Sequence, residues 1–388
     1  MVYLDYSATS PLLPEAKKAM LKAMDLVGNP SALHTPGHLA MNTIEEAREN
    51  IANLINADPT EIIFTSGGSE SNNTITNIFA NESVAVSAIE HPSLLESAKC
   101  RCKAKIIPVD VKGECKPSFL ENTLQNLPKN SQPKLVSIML TNNEIGTINE
   151  IEKLAKIAHQ TGAFFHTDAT QALGKIPIDV KKLNVDYMTI SAHKIGGPVG
   201  IAALFVKKDS PFQPLIIGGH QEHGRRAGTY QTVNIAGFGA AAKYVIDHDT
   251  PNIYKQKIQP LRDLLAKEIL QKVPYSSLNS PLENSLPNLL NCSFLAAEGE
   301  SIQLYLDAEG DIITSTGSAC ASGDGKPSHV LMATANDAEI AHSSIRFSLG
   351  LDTKQSDIAR VLQFLPGIVQ RLQGISTIKI REIAENNG

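Results

Sequence analysis

Apolar positions in the first two thirds of the chain fall in short runs. Glu61–Thr65, Ser83–Ala88, Lys105–Val109, Leu135–Leu140, Ala163–Phe165, Tyr187–Ile190 and Ile201–Val206 are each only a few residues long. Such runs predict buried strands. Between them the period becomes helical. In Ile151–Thr161, Ile151, Leu154, Ala155 and Ala158 share one face, and Gly162 follows where a helix C-cap belongs. Strands alternating with helices predict an α/β fold built on a mostly parallel, seven-stranded sheet.

The rhythm changes after a small-residue helix over Ala236–Ile246. The polar stretch Asp247-His248-Asp249-Thr250-Pro251-Asn252 marks the best domain boundary. Beyond it lie a helix near Ile258–Val273, a strand near Leu289–Phe294, a helix from Glu298 and a strand near Ile312–Thr314. These predict a smaller α+β unit. The first dozen residues precede the strand–helix alternation and are expected to pack with it. The division is therefore a large domain over residues 14–250 and a small domain of 1–13 and 251–388. The Gly- and Ser-containing segment Ser315–Ser328 is expected to be a mobile loop.

A chain of 388 residues is long enough for two cores, and 42% hydrophobic with 19% charged residues is ordinary for a globular enzyme. A net charge of -5 argues against binding nucleic acid by bulk electrostatics. No apolar run reaches membrane-spanning length, and Met1-Val2-Tyr3-Leu4-Asp5 lacks the basic start of a signal peptide. Five cysteines, few and odd in number, suit a reducing cytosol. A cytoplasmic location is expected.

The chemistry gathers at strand ends. Ser191-Ala192-His193-Lys194 follows Tyr187–Ile190, and Asp168-Ala169-Thr170-Gln171 follows Ala163–Phe165. In an open α/β sheet, ligands bind at that edge. A lysine amine that can condense with an aldehyde, beside a carboxylate that can pair with a pyridinium nitrogen, is what pyridoxal 5'-phosphate demands. Taken singly, Lys194 reads as a solvated side chain and Asp168 as a helix N-cap. Ser66-Gly67-Gly68-Ser69-Glu70-Ser71-Asn72-Asn73 opens a helix after a strand, so its backbone can approach a phosphate. A Ser-capped turn is the structural alternative. Ser191 and His193 could add phosphate donors. Gln171 could reach the ring hydroxyl or face solvent. His91, near another strand end, could stack on the ring and move protons, or be a hydrogen-bonded histidine. Asn143 caps Leu135–Leu140.

Cys320 sits in Ser315-Thr316-Gly317-Ser318-Ala319-Cys320-Ala321-Ser322-Gly323, a small and polar surrounding that suits a reacting thiol. Cys292 reads as core. Cys100 and Cys102 read as surface thiols, with no second pair in range for zinc. Arg346, in the apolar strand Ser343–Ser348, needs a partner: a substrate carboxylate or a structural ion pair.

These motifs resemble the cysteine desulfurases of the NifS/IscS type, class V of the fold-type I pyridoxal-phosphate enzymes. The likeness runs through Tyr3–Thr9, Gly28–Ser31, Phe64–Gly67, Glu70–Asn73, Glu90-His91, Asn142–Gly146, His166–Gln171, His193-Lys194, Gly228-Thr229, Gly317–Cys320 and Ser343–Gly350. It implies that Lys194 holds pyridoxal phosphate, Asp168 pairs with its ring nitrogen, Gln171 bonds its hydroxyl and His91 stacks on the ring. Gly68, Ser69, Ser191 and His193 would hold the phosphate, with Thr229 reaching in from the partner of a homodimer. Asn143 and Arg346 would grip the carboxylate of L-cysteine, and Cys320 would take the sulfur as a persulfide. Position 69 is Ser where the family commonly has Thr, and position 68 Gly where Ala is common. The implied partners are L-cysteine and a sulfur-acceptor protein serving iron–sulfur cluster assembly or another thiolation pathway. No resident metal is expected, although Cys320 could contact a transferred cluster. The rivals are a selenocysteine lyase, a class V aminotransferase and a non-catalytic platform for sulfur-transfer partners.

Overall fold

The computed structural model describes residues 1–127, 133–317, 327–335 and 337–376. Its strands, in chain order, are β1 Val2–Tyr3, β2 Ile62–Thr65, β3 Ser83–Ser87, β4 Lys103–Ile107, β5 Leu135–Ser137 and β6 Phe164–Asp168. They continue as β7 Tyr187–Ser191, β8 Ala202–Val206, β9 Ser276–Leu278, β10 Leu289–Phe294, β11 Ile312–Ile313 and β12 Ser344–Ser348.

Seven of these form the central sheet, in the order β2-β8-β7-β6-β5-β3-β4. All neighbours are parallel except β8, which runs against both β2 and β7. Because β2 opposes β8 and β8 opposes β7, β2 points the same way as β7. The C-terminal ends of β2, β3, β5, β6 and β7 therefore share one edge. Strands β2, β3, β5, β7 and β8 are buried at every position, as their continuous apolar runs require. At the open edge, β4 exposes Lys103, Lys105 and Ile106, and the two lysines discourage pairing with another strand.

Two strand boundaries differ from the sequence expectation in ways that matter. The run Ala163–Phe165 continues through His166 and Thr167 to Asp168, so Asp168 is a strand residue. Apolar content missed this because the two polar side chains are buried yet satisfied. His166 pairs through its ring nitrogens with Ser137 Oγ (2.8 Å) and Thr189 Oγ1 (3.1 Å), and Thr167 donates to the Ile138 carbonyl (2.8 Å). Leu135–Leu140 pairs as a strand only over Leu135–Ser137, although Ile138 and Leu140 still donate to the backbone of His166 and Asp168.

A second sheet, β12-β10-β9, is antiparallel, and β1 pairs in parallel with β11. The apolar side of this unit gathers Val2 and Leu4 with Ile258, Leu265, Leu290, Phe347 and Ile358 in one cluster. A separate cluster around Ile44, Phe64, Ile138, Phe165, Met188 and Phe238 backs the large sheet. The N-terminal residues thus pack with the C-terminal unit, and the chain then runs from there to the edge of the large sheet.

A buried ion pair fixes one further segment. Arg48 and Glu222, 3% and 2% exposed, meet through two 2.8 Å bonds, and Glu222 also accepts from the Phe64 backbone at 3.0 Å. Glu222 and His223 have left-handed backbones (φ 49° and 56°), a strained turn that the ion pair holds. Next along this segment, Arg226 bonds Glu70 in the first turn of the helix Gly68–Ile78.

Candidate active site

The shared strand edge opens into a cavity of ≈ 760 Å³, and ten of the residues singled out in the sequence line it. Gly68 and Ser69 enter it at the start of the helix Gly68–Ile78, whose N-cap Gly67 brings no capping side chain. The first N–H groups of that helix are left for an anion. Thr65 and Ser71 bond across the turn at 2.8 Å, and Glu70 accepts from the Ser66 N–H at 2.8 Å, so the turn is fixed from behind. Ser191 and His193 line the neighbouring wall.

Asp168 is 6% exposed at the end of β6. Its Oδ2 accepts from Asn72 Nδ2 at 2.9 Å and its Oδ1 from the Thr170 N–H at 3.0 Å. A buried carboxylate with two donors is a fixed negative charge aimed into the cavity. Lys194 ends the single turn Ala192–Lys194 that follows β7. Its Nζ donates to the carbonyl oxygens of Ser7 (2.5 Å) and Ala8 (2.7 Å).

His91 caps the helix Pro92–Arg101: its Nδ1 accepts from the Ser93 N–H at 3.2 Å and pairs with Ser93 Oγ at 2.8 Å. A backbone N–H can only donate, so the neutral ring carries its proton on Nε2. Burial pulls His91 below the usual histidine range, with the charge of Lys194 adding to the effect and that of Asp168 opposing it. Burial, then Lys194 and Lys175, push His193 down to about 4. Both imidazoles are neutral at physiological pH and can accept or relay protons.

Arg346 makes the structural ion pair and also reaches the cavity. It pairs with Asp5 at 3.0 Å and donates to the Asn143 carbonyl at 3.0 Å, yet it lines the cavity. Its buried Nε has no hydrogen-bond partner among the described residues. Gln171 does not face solvent: it lies in a tight turn at the cavity and is 5% exposed, with Nε2 donating to the Ser7 carbonyl at 2.9 Å. Asn143 lines the cavity, but the side chain that shapes its turn is that of Asn142, which accepts from the N–H groups of Glu144 and Ile145.

Two expected contributors are not among these. Thr229 is exposed and outside the cavity lining of a single chain. Cys320 lies outside the described residues, as does 318–326 of the expected loop. Its flanks are informative, because Gly317, Pro327 and Ser328 all line the cavity. Among the other cysteines, Cys292 is core as read from the sequence, and Cys115 is buried too. Cys102, read as a surface thiol, is half-buried and donates to the Thr76 carbonyl at 3.4 Å. Burial pushes the thiols of Cys102 and Cys115 up to about 11 and 12 and that of Cys292 higher still, so none of the three is a ready thiolate.

Several residues of the site escaped the sequence reading. Asn72 sat inside the phosphate motif, and only its spacing four residues after Gly68 hints that it faces the sheet. The Ser7 and Ala8 carbonyls belong to a segment assigned to the other unit. Glu90, fully buried next to His91 and outside the cavity lining, is pushed by burial up to about 8, with Asp168 adding to the shift. Glu144, raised by burial to about 7, takes a hydrogen bond from Ser328. No local pattern marks either.

The donor set fits a phosphorylated pyridine aldehyde. A helix N-terminus faces one end of the cavity, a fixed carboxylate and a lysine amine converge on it, and Thr170 Oγ1 and Asn72 Oδ1 are buried without partners among the described residues. The aminotransferase class-V profile matches residues 2–361. The chain belongs to the class-V aminotransferase family. A cysteine desulfurase IscS of Dictyoglomus turgidum is 43% identical, with 97% of each chain covered. Cysteine desulfurase 1 of Trichormus variabilis is 40% identical over 98% of this chain and 95% of its own. A solved NifS-like protein from Rickettsia africae superposes with a TM-score of 0.87 at 34% identity, covering 95% of this chain and 99% of its own. A structure described as SspA in complex with cysteine gives 0.76 at 30% identity, covering 90% and 99%. The chain is thus a pyridoxal-phosphate-dependent enzyme of the cysteine desulfurase group.

The Asn72–Asp168 bond is where this geometry is most exposed to test. A hydrogen bond to a buried charge contributes roughly 1.5–3 kcal/mol. Asn72→Leu should therefore weaken pyridoxal phosphate binding by about tenfold or more, read by titrating the visible absorbance of the stripped protein. Unchanged affinity would show that Asp168 does not depend on that donor.

Proposed function

We propose that this enzyme removes sulfur from L-cysteine, releases L-alanine and holds the sulfur as a persulfide on Cys320 before passing it to an acceptor protein. We place it in the cytoplasm as a homodimer, with a large domain over residues 14–250 and a small domain of 1–13 and 251–388. Iron–sulfur cluster assembly or another thiolation pathway is the destination we assign to the sulfur. Among the described residues, no helix is long and apolar enough to cross a membrane.

The observation that carries the reading is the meeting of two chemistries in one cavity. Lys194, Asp168 and His91 line it, and so do the residues on either side of the segment that contains Cys320. Cys320 is three residues along the chain from Gly317, a reach of at most about 11 Å. A transaminase has no use for a thiol delivered there.

When bound, pyridoxal phosphate supplies an electron sink for the negative charge left at the substrate Cα once its proton is removed. Gly68, Ser69, Ser191 and His193 would hold its phosphate, and Asp168 would keep a proton on its ring nitrogen. Gln171 would donate to its hydroxyl and Lys194 would anchor it. The His91 ring, fixed by Ser93, would cover one face. Arg346 Nη groups and Asn143 would hold the substrate carboxylate. Asp5 already neutralises part of the Arg346 charge, which leaves the guanidinium oriented rather than mobile. Lys194 would accept the Cα proton, and His91 Nε2 would manage a proton at the substrate sulfur. The Cys320 thiolate would then attack that sulfur. An S–S bond forms as the Cβ–S bond breaks, and the bonding pair goes to Cβ, which takes up a proton. Lys194 would return the proton to Cα, so that cysteine leaves as alanine and the sulfur stays on Cys320.

Cys320→Ser should keep bound cofactor and still change its visible spectrum on adding cysteine, yet form less than about 1% of the wild-type alanine and sulfide. Wild-type rates in that variant would sink the persulfide step and favour a lyase of the selenocysteine type.

The dimer reading rests on the segment Gly218–Thr229, pinned by Arg48–Glu222 and by Arg226–Glu70, in which Thr229 is exposed. Thr229→Ala should lower cofactor affinity several-fold, and mixing it with Lys194→Ala should restore part of the activity through heterodimers. A fully active monomer on sedimentation would contradict the shared site.

A further inference from the structure

Lys175 is a buried titratable group that the reaction above does not use. It is 1% exposed, and its Nζ donates to the backbone carbonyl of Gln171 at 2.9 Å and to Gln171 Oε1 at 3.4 Å. Gln171 Nε2 donates onward to the Ser7 carbonyl at 2.9 Å, and that same oxygen accepts from Lys194 Nζ at 2.5 Å. Two amines are thus joined through one glutamine and one carbonyl. They also line one narrow cavity of ≈ 50 Å³, apart from the large one.

A packing role alone does not account for an amine here, because burying an ammonium among neutral oxygens is costly where Met or Leu would fill the space. The titratable and charged groups facing the narrow cavity are Tyr6, Tyr244, Tyr254 and Asp352, besides the two lysines, and His193 feels both amines from beside Lys194. Burial pushes the phenols of Tyr6 and Tyr254 upward, so they remain neutral near pH 7. Asp352 is exposed to solvent, which screens its charge.

We propose that Lys175 is a positioning residue for the cofactor lysine: it fixes Gln171 and, through the Ser7 carbonyl, the Lys194 amine, and its charge disfavours a proton on Lys194. The inference rests on the reading of Lys194 as the anchor of pyridoxal phosphate. Repulsion between the two amines acts both ways. Burial and then the charge of Lys194 bring Lys175 down to about 7, so near neutral pH the pair resists holding two protons. A lysine that must bond to an aldehyde, and later accept a Cα proton, has to be available in its neutral form. A cationic neighbour favours that form.

The test is the pH dependence of the holoenzyme's visible absorbance in wild type, Lys175→Met and Lys175→Gln. Removing a neighbouring positive charge raises the proton affinity of the group that remains, so the midpoint should move up by about one pH unit in both variants. In cofactor-stripped protein, acylation of Lys194 at pH 7, read by mass spectrometry of its peptide, should slow by about tenfold. Lys175→Arg, which restores a permanent charge, should bring the midpoint back toward wild type. A structural role alone would lower the melting temperature and leave the midpoint in place, and an unmoved midpoint in folded Lys175→Met or Lys175→Gln overturns the proposal. If the Met variant does not fold, Lys175→Gln carries the comparison, since its amide can still donate to Gln171 without charge. Lys194→Ala separates the two ideas. Retention of the wild-type visible band there would remove Lys194 as the anchor and this inference with it, whereas its loss beside an unmoved midpoint sinks the inference alone.

Discussion

The buried carboxylate of Asp168 is the constraint from which the rest of the site follows. A charge at 6% exposure is tolerable only where donors meet it, and here they are Asn72 and the Thr170 N–H. Those donors come from the helix that begins at Gly68 and from the turn that leads to Gln171. The charge thus ties the helix start at Gly68 to the turn at Thr170. Parallel strand order brings these pieces together, because β2, β6 and β7 all end at the same edge.

The second unit completes the site. Asp5 pairs with Arg346 across 341 positions of sequence, and the Ser7 and Ala8 carbonyls hold Lys194. One short N-terminal segment therefore touches both the amine that would anchor the cofactor and the guanidinium that would grip the substrate. Cofactor and substrate would be oriented against each other by backbone that belongs, through β1, to the core of the smaller unit. Such rigid support is what near-attack geometry requires.

Much of this was legible in the sequence because the large sheet is built from apolar runs buried on both faces. The candidate residues Gly68, Ser69, His91, Asn143, Asp168, Gln171, Ser191, His193, Lys194 and Arg346 do converge on one cavity. What stayed hidden depended on long-range contacts. His166 and Thr167 look polar along the chain, yet lie in a buried strand because Ser137, Thr189 and the Ile138 carbonyl satisfy them. Glu90, Glu144 and Lys175 carry no local signal and Asn72 only its spacing from Gly68, since each acquires its role from what the fold sets against it. For Arg346 the structural ion pair with Asp5 is present, a partner 341 positions away that no reading of one strand could reveal.

The central claim is that Lys194, set between the Ser7 and Ala8 carbonyls and facing the Asp168 cavity, is the residue to which the cofactor bonds. Borohydride reduction of the yellow holoenzyme, followed by peptide mapping, tests it most directly. The account predicts cofactor fixed to the peptide containing Lys194. Attachment at Lys175, Lys207 or any other lysine would contradict it.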